Sequence, residues 1–173
     1  MNEKTDITDI TDSTEVTDIP MRILRVATCP SLSGRSILRY HVGCNDTGAI
    51  HFRLWGNTAA GMFSNMWVSM VDLSGVLSSL DTFTSSALAG TFEQLSRNNP
   101  GFCMAVLQNE LLIEKSATKP GTYTTANPAP FLERINALIA SGVELSEDDE
   151  PSDALPIAAV ATTKRAKSKK QSA

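Results

Sequence analysis

Residues Leu88 to Ile139 decide the fold: LAGTFEQLSRNNPGFCMAVLQNELLIEKSATKPGTYTTANPAPFLERINALI. Asn98-Asn99-Pro100-Gly101 interrupts one amphipathic run and starts the next. Lys119-Pro120-Gly121 turns two short extended segments back on each other. The order predicted is therefore a helix, a second helix, a β-hairpin and a closing helix.

Capping preferences and the spacing of apolar residues predict where the elements of this stretch begin and end. Asn99 is expected to cap the second helix and Pro100 to occupy its first turn, because both residues favour those backbone conformations. The first helix is predicted to start near Ser85 and to bury a stripe at helical spacing, namely Leu88, Phe92 and Leu95. The later elements are the strands Leu112–Ser116 and Thr122–Ala126 and the helix Pro128–Ile139.

Residues 21 to 80 read as an antiparallel sheet module. Met21–Ala27 predicts a first strand, and a hairpin joins Ser36–Val42 to Ala49–Trp55 through a glycine- and asparagine-rich turn. Met66–Val71 predicts a fourth strand, after which Asp72 or Ser74 caps a short helix through Leu80. With residues 84 to 142 as a second module, the predicted fold class is α+β.

Alternation gives the hairpin two different faces. The apolar face carries Leu38, Tyr40, Val42, Ile50, Phe52 and Leu54. The other face is basic and aromatic, and it carries Arg39, His41, His51, Arg53 and Trp55. An ordinary solvated sheet face accounts for this pattern. A nucleic-acid surface also does, with Arg39 and Arg53 on phosphates and Trp55 as a stacking plane.

The stretch NNPGFCMAVLQNELLIEKSATKPGTYTTA resembles the reading helix and wing of winged helix-turn-helix DNA-binding domains, over residues 84 to 140. The resemblance implies a DNA-binding surface formed by Arg97, Asn98, Asn99, Gln108, Asn109, Lys115 and Lys119. The chain departs from the family pattern because residues 99 to 112 contain no Lys or Arg. Gly61-Met62-Phe63-Ser64 leading to Trp67-Val68 is similar to accessory proteins of plasmids and other bacterial mobile elements.

The charge distribution defines the two ends of the chain. Residues 1 to 20 carry six acidic residues against Lys4, and the last ten residues carry five basic residues and no acidic one. Neither end has periodic apolar residues, so residues 1–20 and 143–173 are predicted to be disordered tails. Residues 21 to 142 hold nine Arg or Lys and seven Asp or Glu, which makes the folded part slightly basic although the net charge is −4.

These features favour a nucleic-acid-binding accessory or regulatory protein, with DNA as the expected partner. The alternative is a protein-interaction factor whose winged module docks a protein partner and whose acidic arms mimic DNA. No catalytic signature or compact set of metal ligands is present, so neither an enzyme nor a cofactor is expected. His41, His51, Cys29 and Cys44 lack the spacing of a zinc site. The absence of a long apolar run or secretory signal predicts a cytoplasmic protein without membrane contact.

Overall fold

The computed structural model describes residues 20–93 and 95–152, and these residues form an α+β fold. A four-stranded antiparallel sheet has the order β1-β2-β3-β4, and a separate hairpin pairs β5 with β6. The bounds are β1 Arg22–Pro30, β2 Ile37–Cys44, β3 Ile50–Asn57, β4 Val68–Ser69, α1 Met70–Ser78, α2 Asn99–Asn109, β5 Ile113–Lys115, β6 Tyr123–Thr125 and α3 Ala129–Ala140.

The predicted hairpin is confirmed as β2 and β3. Asn45 shapes its turn, because its side-chain oxygen accepts hydrogen bonds from the backbone N–H groups of Thr47 at 3.1 Å and Ala49 at 2.8 Å. Gly48 closes the turn with φ of 80°, a conformation that glycine adopts without a Cβ clash. All six residues predicted for the apolar face are buried.

The prediction of a fourth strand over Met66–Val71 was wrong in its extent. Only Val68 and Ser69 pair with β3, and α1 begins immediately afterwards at Met70. The reason is a cap that the prediction placed too late: Ser69 is extended, and its hydroxyl accepts a hydrogen bond from Val71 N at 3.2 Å. The helix buries Leu73 and Leu77, whereas Leu80 is exposed.

The helix predicted from Ser85 is replaced by two short 3₁₀ turns, Ser85–Leu88 and Gly90–Phe92. The predicted buried stripe is partly confirmed, since Leu88 and Phe92 are buried. Glycine at position 90 disfavours a continuous helix. A backbone bridge between Phe83 and Tyr123 also fixes the start of this segment against β6.

The second helix, the wing hairpin and the closing helix lie where they were predicted. Pro100 occupies the first turn of α2, but the cap position belongs to Asn98 rather than Asn99. The side chain of Asn99 instead bonds both backbone groups of Ser64, accepting from its N at 2.9 Å and donating to its O at 3.0 Å. Asn99 therefore fastens the loop before β4 to α2.

One hydrophobic core spans the boundary between the two predicted modules. Side chains of β1, β2 and β3 share this core with side chains of α1, α2 and α3. Phe52 of β3, for example, meets Phe131 of α3 with ring centroids 5.8 Å apart. Residues 21–80 and 84–142 therefore bury their apolar faces against each other.

The predicted tail starts too early at residue 143. Leu145 N donates to Ile23 O at 2.9 Å, and Ser152 N donates to Val26 O at 2.9 Å, so this stretch meets the free edge of β1 twice. Backbone pairing at an unpaired strand edge holds a segment that hydrophobic periodicity alone does not predict. We call residues 145–152 the strap. The predicted disordered regions 1–19 and 153–173 lie outside the described residues.

Candidate nucleic-acid interface

The second face of the hairpin centres on a cation between two indole rings. The guanidinium carbon of Arg53 lies 4.6 Å from the ring centroid of Trp55 and 4.4 Å from that of Trp67. Arg53 and Trp55 come from alternate positions of β3, and Trp67 immediately precedes β4. Arginine between aromatic rings gains cation–π attraction and is held in one orientation. We call Arg39, His41, Arg53, Trp55 and Trp67 the Trp–Arg face.

Gly43 makes room for this arrangement. A Cβ atom at position 43 would lie 2.8 Å from Cη2 of Trp67 and 2.9 Å from the backbone oxygen of Arg22. Both distances are too short for a side chain, so the indole reaches its place only over a glycine in β2. Neither Trp67 nor Gly43 was among the predicted site residues.

His41 lies beneath the arginine and is fully buried, with 0% exposure. Its Nδ1 accepts a hydrogen bond from Arg53 Nη2 at 3.0 Å, and its Nε2 donates to Glu147 O at 3.1 Å. These two bonds assign a neutral ring with the proton on Nε2. Burial and, second to it, the neighbouring charge of Arg53 lower the pKa of His41 from 6.5 to about 4.

The strap lies across the Trp–Arg face. Its Glu147 carboxylate forms an ion pair with Arg53, Oε1 to Nη2, at 2.9 Å. Arg39 Nη2 donates to the backbone oxygens of Glu147 at 3.1 Å and Asp149 at 2.7 Å. An acidic segment of the same chain therefore contacts both arginines and the histidine of this face.

The arginines retain hydrogen-bonding capacity that the strap does not use. The Nε atoms of Arg39 and Arg53 are buried and have no acceptor within the described residues. A guanidinium offers five N–H donors. The strap engages these arginines only through Nη2, so it leaves part of the donor set unsatisfied.

The predicted reading helix turns its polar residues inward. Asn99 is buried and holds Ser64, and Asn109 donates from Nδ2 to the hydroxyl of Tyr40 at 2.8 Å. Gln108 is half-buried, and Met104 is fully buried. Asn99 and Asn109, which were expected to read base edges, therefore connect α2 to the β4 loop and to the sheet.

The remaining predicted contacts lie on the surface. Arg97 and Asn98 line a groove of about 400 Å³ beside the first turn of α2. Asn98 donates from Nδ2 to Met62 O at 2.7 Å. Lys115 at the end of β5 and Lys119 in the hairpin turn are exposed, and neither side chain has a partner in the part of the chain that the structure describes.

A second ionic cluster lies on the core face of the sheet, around Glu110. Its Oε1 accepts from Arg25 Nε at 3.0 Å and from the hydroxyl of Tyr40, and its Oε2 accepts from Arg134. The carboxylate is completely buried. Burial and the Glu110 charge raise the pKa of Tyr40 well above its usual value. No local sequence pattern indicates this cluster, because Glu110 follows α2 as one more polar residue in an amphipathic pattern.

The cysteines of the described residues are buried. Burial raises the pKa of the Cys29 and Cys103 thiols to about 12, which keeps both protonated near neutral pH. Cys44 is also buried, and His51 is bonded through Nδ1 to Ala49 O at 3.0 Å. Within residues 20–93 and 95–152, no three His, Cys, Asp or Glu side chains gather as metal ligands would.

None of the helices within the described ranges is long and apolar enough to cross a membrane. Comparison of the chain with protein-family models, curated proteins and solved structures found no match. The winged-helix resemblance therefore rests on the residues quoted from the sequence. The geometry of the Trp–Arg face is the best available basis for inferring a function.

Proposed function

We propose that this protein binds nucleic acid through the Trp–Arg face, as an accessory or regulatory protein for which DNA is the favoured partner. The observation that carries the proposal is Arg53 held between Trp55 and Trp67 beneath an acidic chain. Cations with aromatic planes are the combination that proteins use to hold a phosphate backbone and its bases. A role on a bacterial mobile element rests on the sequence resemblance alone.

The contacts of the strap support an anionic chain as the natural occupant of this face. The strap gives the face only oxygen acceptors: the Glu147 carboxylate and the backbone oxygens of Glu147 and Asp149. A sugar-phosphate backbone offers the same acceptor atoms with more negative charge. The unused Nε donors of Arg39 and Arg53 could then be satisfied as well.

The arrangement favours a single strand over a duplex. Bases can stack on an indole or a guanidinium plane only when they are unpaired, and sheet faces with aromatic and basic residues present such planes. In the helix expected to enter a major groove, the amides of Asn99 and Asn109 bind the rest of the chain instead. Single-stranded DNA is therefore the substrate class that we assign to the Trp–Arg face.

The test is a binding titration of the full chain against single-stranded DNA, duplex DNA and RNA of one sequence, at two salt concentrations. Trp55 and Trp67 are the two tryptophans of the chain, so tryptophan fluorescence reports on this face directly. We expect the single strand to bind most tightly and to change the emission. The double substitution Arg39→Gln and Arg53→Gln should lower the slope of log affinity against log salt concentration by about 1.4 units, because each charge contributes about 0.7 on a single strand.

The matched control is the triple substitution Arg97→Gln, Lys115→Gln and Lys119→Gln, which removes the exposed cations of the predicted winged module. If the winged module holds the DNA, this variant loses affinity and the double variant keeps it. Absence of binding by the parent chain to all three nucleic acids at low salt would overturn the proposal.

A protein-interaction factor is the second candidate, and exposed apolar side chains favour it. Val71 of α1 is 72% exposed, Met62 before β4 is 81% exposed and Leu111 after α2 is 60% exposed. Apolar docking depends little on salt, unlike phosphate binding. A partner whose affinity is unchanged between low and high salt would favour this function.

A further inference from the structure

We infer that the strap is an autoinhibitory segment: residues 145–152 occupy the Trp–Arg face in place of nucleic acid, and binding requires their release. The inference rests on the proposed function, because it concerns the regulation of the same face. It adds that the free protein is in a closed state, and that the acidic residues of this segment set the fraction of open molecules.

The strap is held by backbone hydrogen bonds at its ends and by polar contacts in its middle. Backbone hydrogen bonds join Leu145 to Ile23 and Ser152 to Val26, and Arg25 Nη1 donates to Ser152 O at 2.8 Å. Between these points it contacts the Trp–Arg face through polar atoms. None of residues 145–152 is buried, so little apolar burial holds the segment down.

A local turn presents Glu147 to the face. The Asp149 carboxylate accepts a hydrogen bond from Ser146 N at 2.8 Å, which folds the chain back between these residues. As a result the Glu147 side chain meets Arg53, and the backbone oxygens of Glu147 and Asp149 meet Arg39. The turn gives a short peptide the acceptor spacing that the face requires.

The ion pair between Glu147 and Arg53 is also one that another anion can replace. The Glu147 side chain is 49% exposed, and ion pairs open to solvent are weak and screened by salt. A nucleic acid brings several phosphates and bases to the same groups, so it can displace one carboxylate and two backbone oxygens. The strap is therefore suited to lower affinity and exclude weak ligands without blocking a long single strand.

Glu147→Gln in the full chain tests the inference, with Glu150→Gln as the matched control. Each substitution removes one negative charge from the same segment, but Glu150 has no hydrogen bond or ion pair within the described residues. Affinity for a single-stranded thymidine oligonucleotide is measured by anisotropy at low salt. We expect Glu147→Gln to bind about fivefold more tightly than Glu150→Gln, the upper range for one exposed ion pair.

A second readout needs no nucleic acid. Glu147 binds the guanidinium that lies 4.6 Å from the Trp55 ring and 4.4 Å from the Trp67 ring, so its loss changes the charge balance beside both indoles. Glu147→Gln should therefore shift the tryptophan emission of the free protein, and Glu150→Gln should not. Salt should produce the same shift in the parent chain. The affinity of the parent should consequently fall less steeply with salt than that of Glu147→Gln, because salt opens the strap while it weakens phosphate binding.

The outcomes separate the two proposals. If the parent binds single-stranded DNA but Glu147→Gln matches Glu150→Gln or binds more weakly, the autoinhibitory role is overturned and the proposed function stands. If the parent fails to bind any nucleic acid at low salt, the proposed function fails and the autoinhibitory role fails with it.

Discussion

Glu110 and Glu147 each bind arginine on the same sheet, but on opposite faces and in opposite surroundings. Glu110 lies on the core face with its carboxylate fully buried, between Arg25 and Arg134. Glu147 lies on the other face with about half of its side chain in water, and it pairs with Arg53. Both clusters pair a glutamate with arginine, but one carboxylate is buried and the other is half exposed.

This difference separates a fixed connection from one that can open. A buried carboxylate cannot leave its arginines without leaving their charges uncompensated away from water. An exposed carboxylate loses little when it leaves, because water and salt replace its partner. The Glu110 cluster therefore connects β1 and β2 to α2 and α3 permanently, whereas the Glu147 contact can be exchanged for another anion.

The largest effect should come from Glu110→Ala. Removing the carboxylate leaves Arg25 and Arg134 buried without a counter-charge, which typically costs about 3–5 kcal/mol. Urea unfolding measures the loss. Glu114→Ala on the exposed side of β5 is the control and should be nearly neutral. A loss below about 1 kcal/mol would mean that the Glu110 cluster is no tighter than a surface pair.

Alanine substitutions at the neighbouring residues Phe52 and Arg53 of β3 should cost different amounts of stability, because the two side chains lie on opposite faces of the sheet. Phe52→Ala opens a cavity against Phe131 and should cost about 3–5 kcal/mol. Alternation alone predicts that Arg53→Ala is nearly neutral, but the stack between Trp55 and Trp67 raises the expected cost to about 1–2 kcal/mol. Thermal and urea unfolding of both variants check the ranking, which equal losses would contradict.

Lowering the pH should reduce the free energy of unfolding because His41 becomes protonated. Because the pKa of His41 is lowered from 6.5 to about 4, the unfolded chain binds more protons than the folded one between these values. Stability is therefore complete above pH 6.5 and falls as the pH falls, by about 2 kcal/mol near pH 5 at 1.36 kcal/mol per pKa unit.

Unfolding free energies at pH 7, 6 and 5 measure the slope of stability against pH. His41→Gln should flatten it, and His51→Gln is the control for loss of a histidine from the same face. An unchanged slope in His41→Gln would mean that the Trp–Arg face does not hold a neutral imidazole.

The smallest effect on stability should come from Glu147→Gln. One half-exposed ion pair contributes about 0–1 kcal/mol, so the urea midpoint should barely move although binding changes. A loss as large as that of Glu110→Ala would remove the contrast between the two glutamates. It would also make the strap a structural element of the fold.

Much of the fold could be predicted from short-range patterns. Alternation over β2 and β3 predicted the six buried side chains of the apolar face but not the burial of His41. The Asn-Pro and Pro-Gly signals placed α2 and the β5–β6 hairpin. Tertiary contacts decided what such patterns do not contain. The bridge from Phe83 to Tyr123 accompanies two 3₁₀ turns instead of a helix, and the hydroxyl of Ser69 started α1 early.

Only part of the candidate site could be predicted from the sequence. Arg39, Arg53 and Trp55 follow from strand period, but Trp67 and Glu147 reach them from other parts of the chain. Gly43 offered a local signal for Trp67, since a glycine in a strand often marks close approach. Only the folded chain shows that Glu147, 94 residues after Arg53, lies against it.

By itself, the sequence determined which residues of each element are apolar, because hydrophobic burial acts on every side chain through its own chemistry and spacing. It also determined that residues 143–163 are acidic and that the hairpin carries a basic face. The tertiary structure alone decided that these opposite charges meet, that Glu110 is buried and that Glu147 is half exposed. Charge interactions depend on distance and solvent, and both are set only when distant parts of the chain pack together.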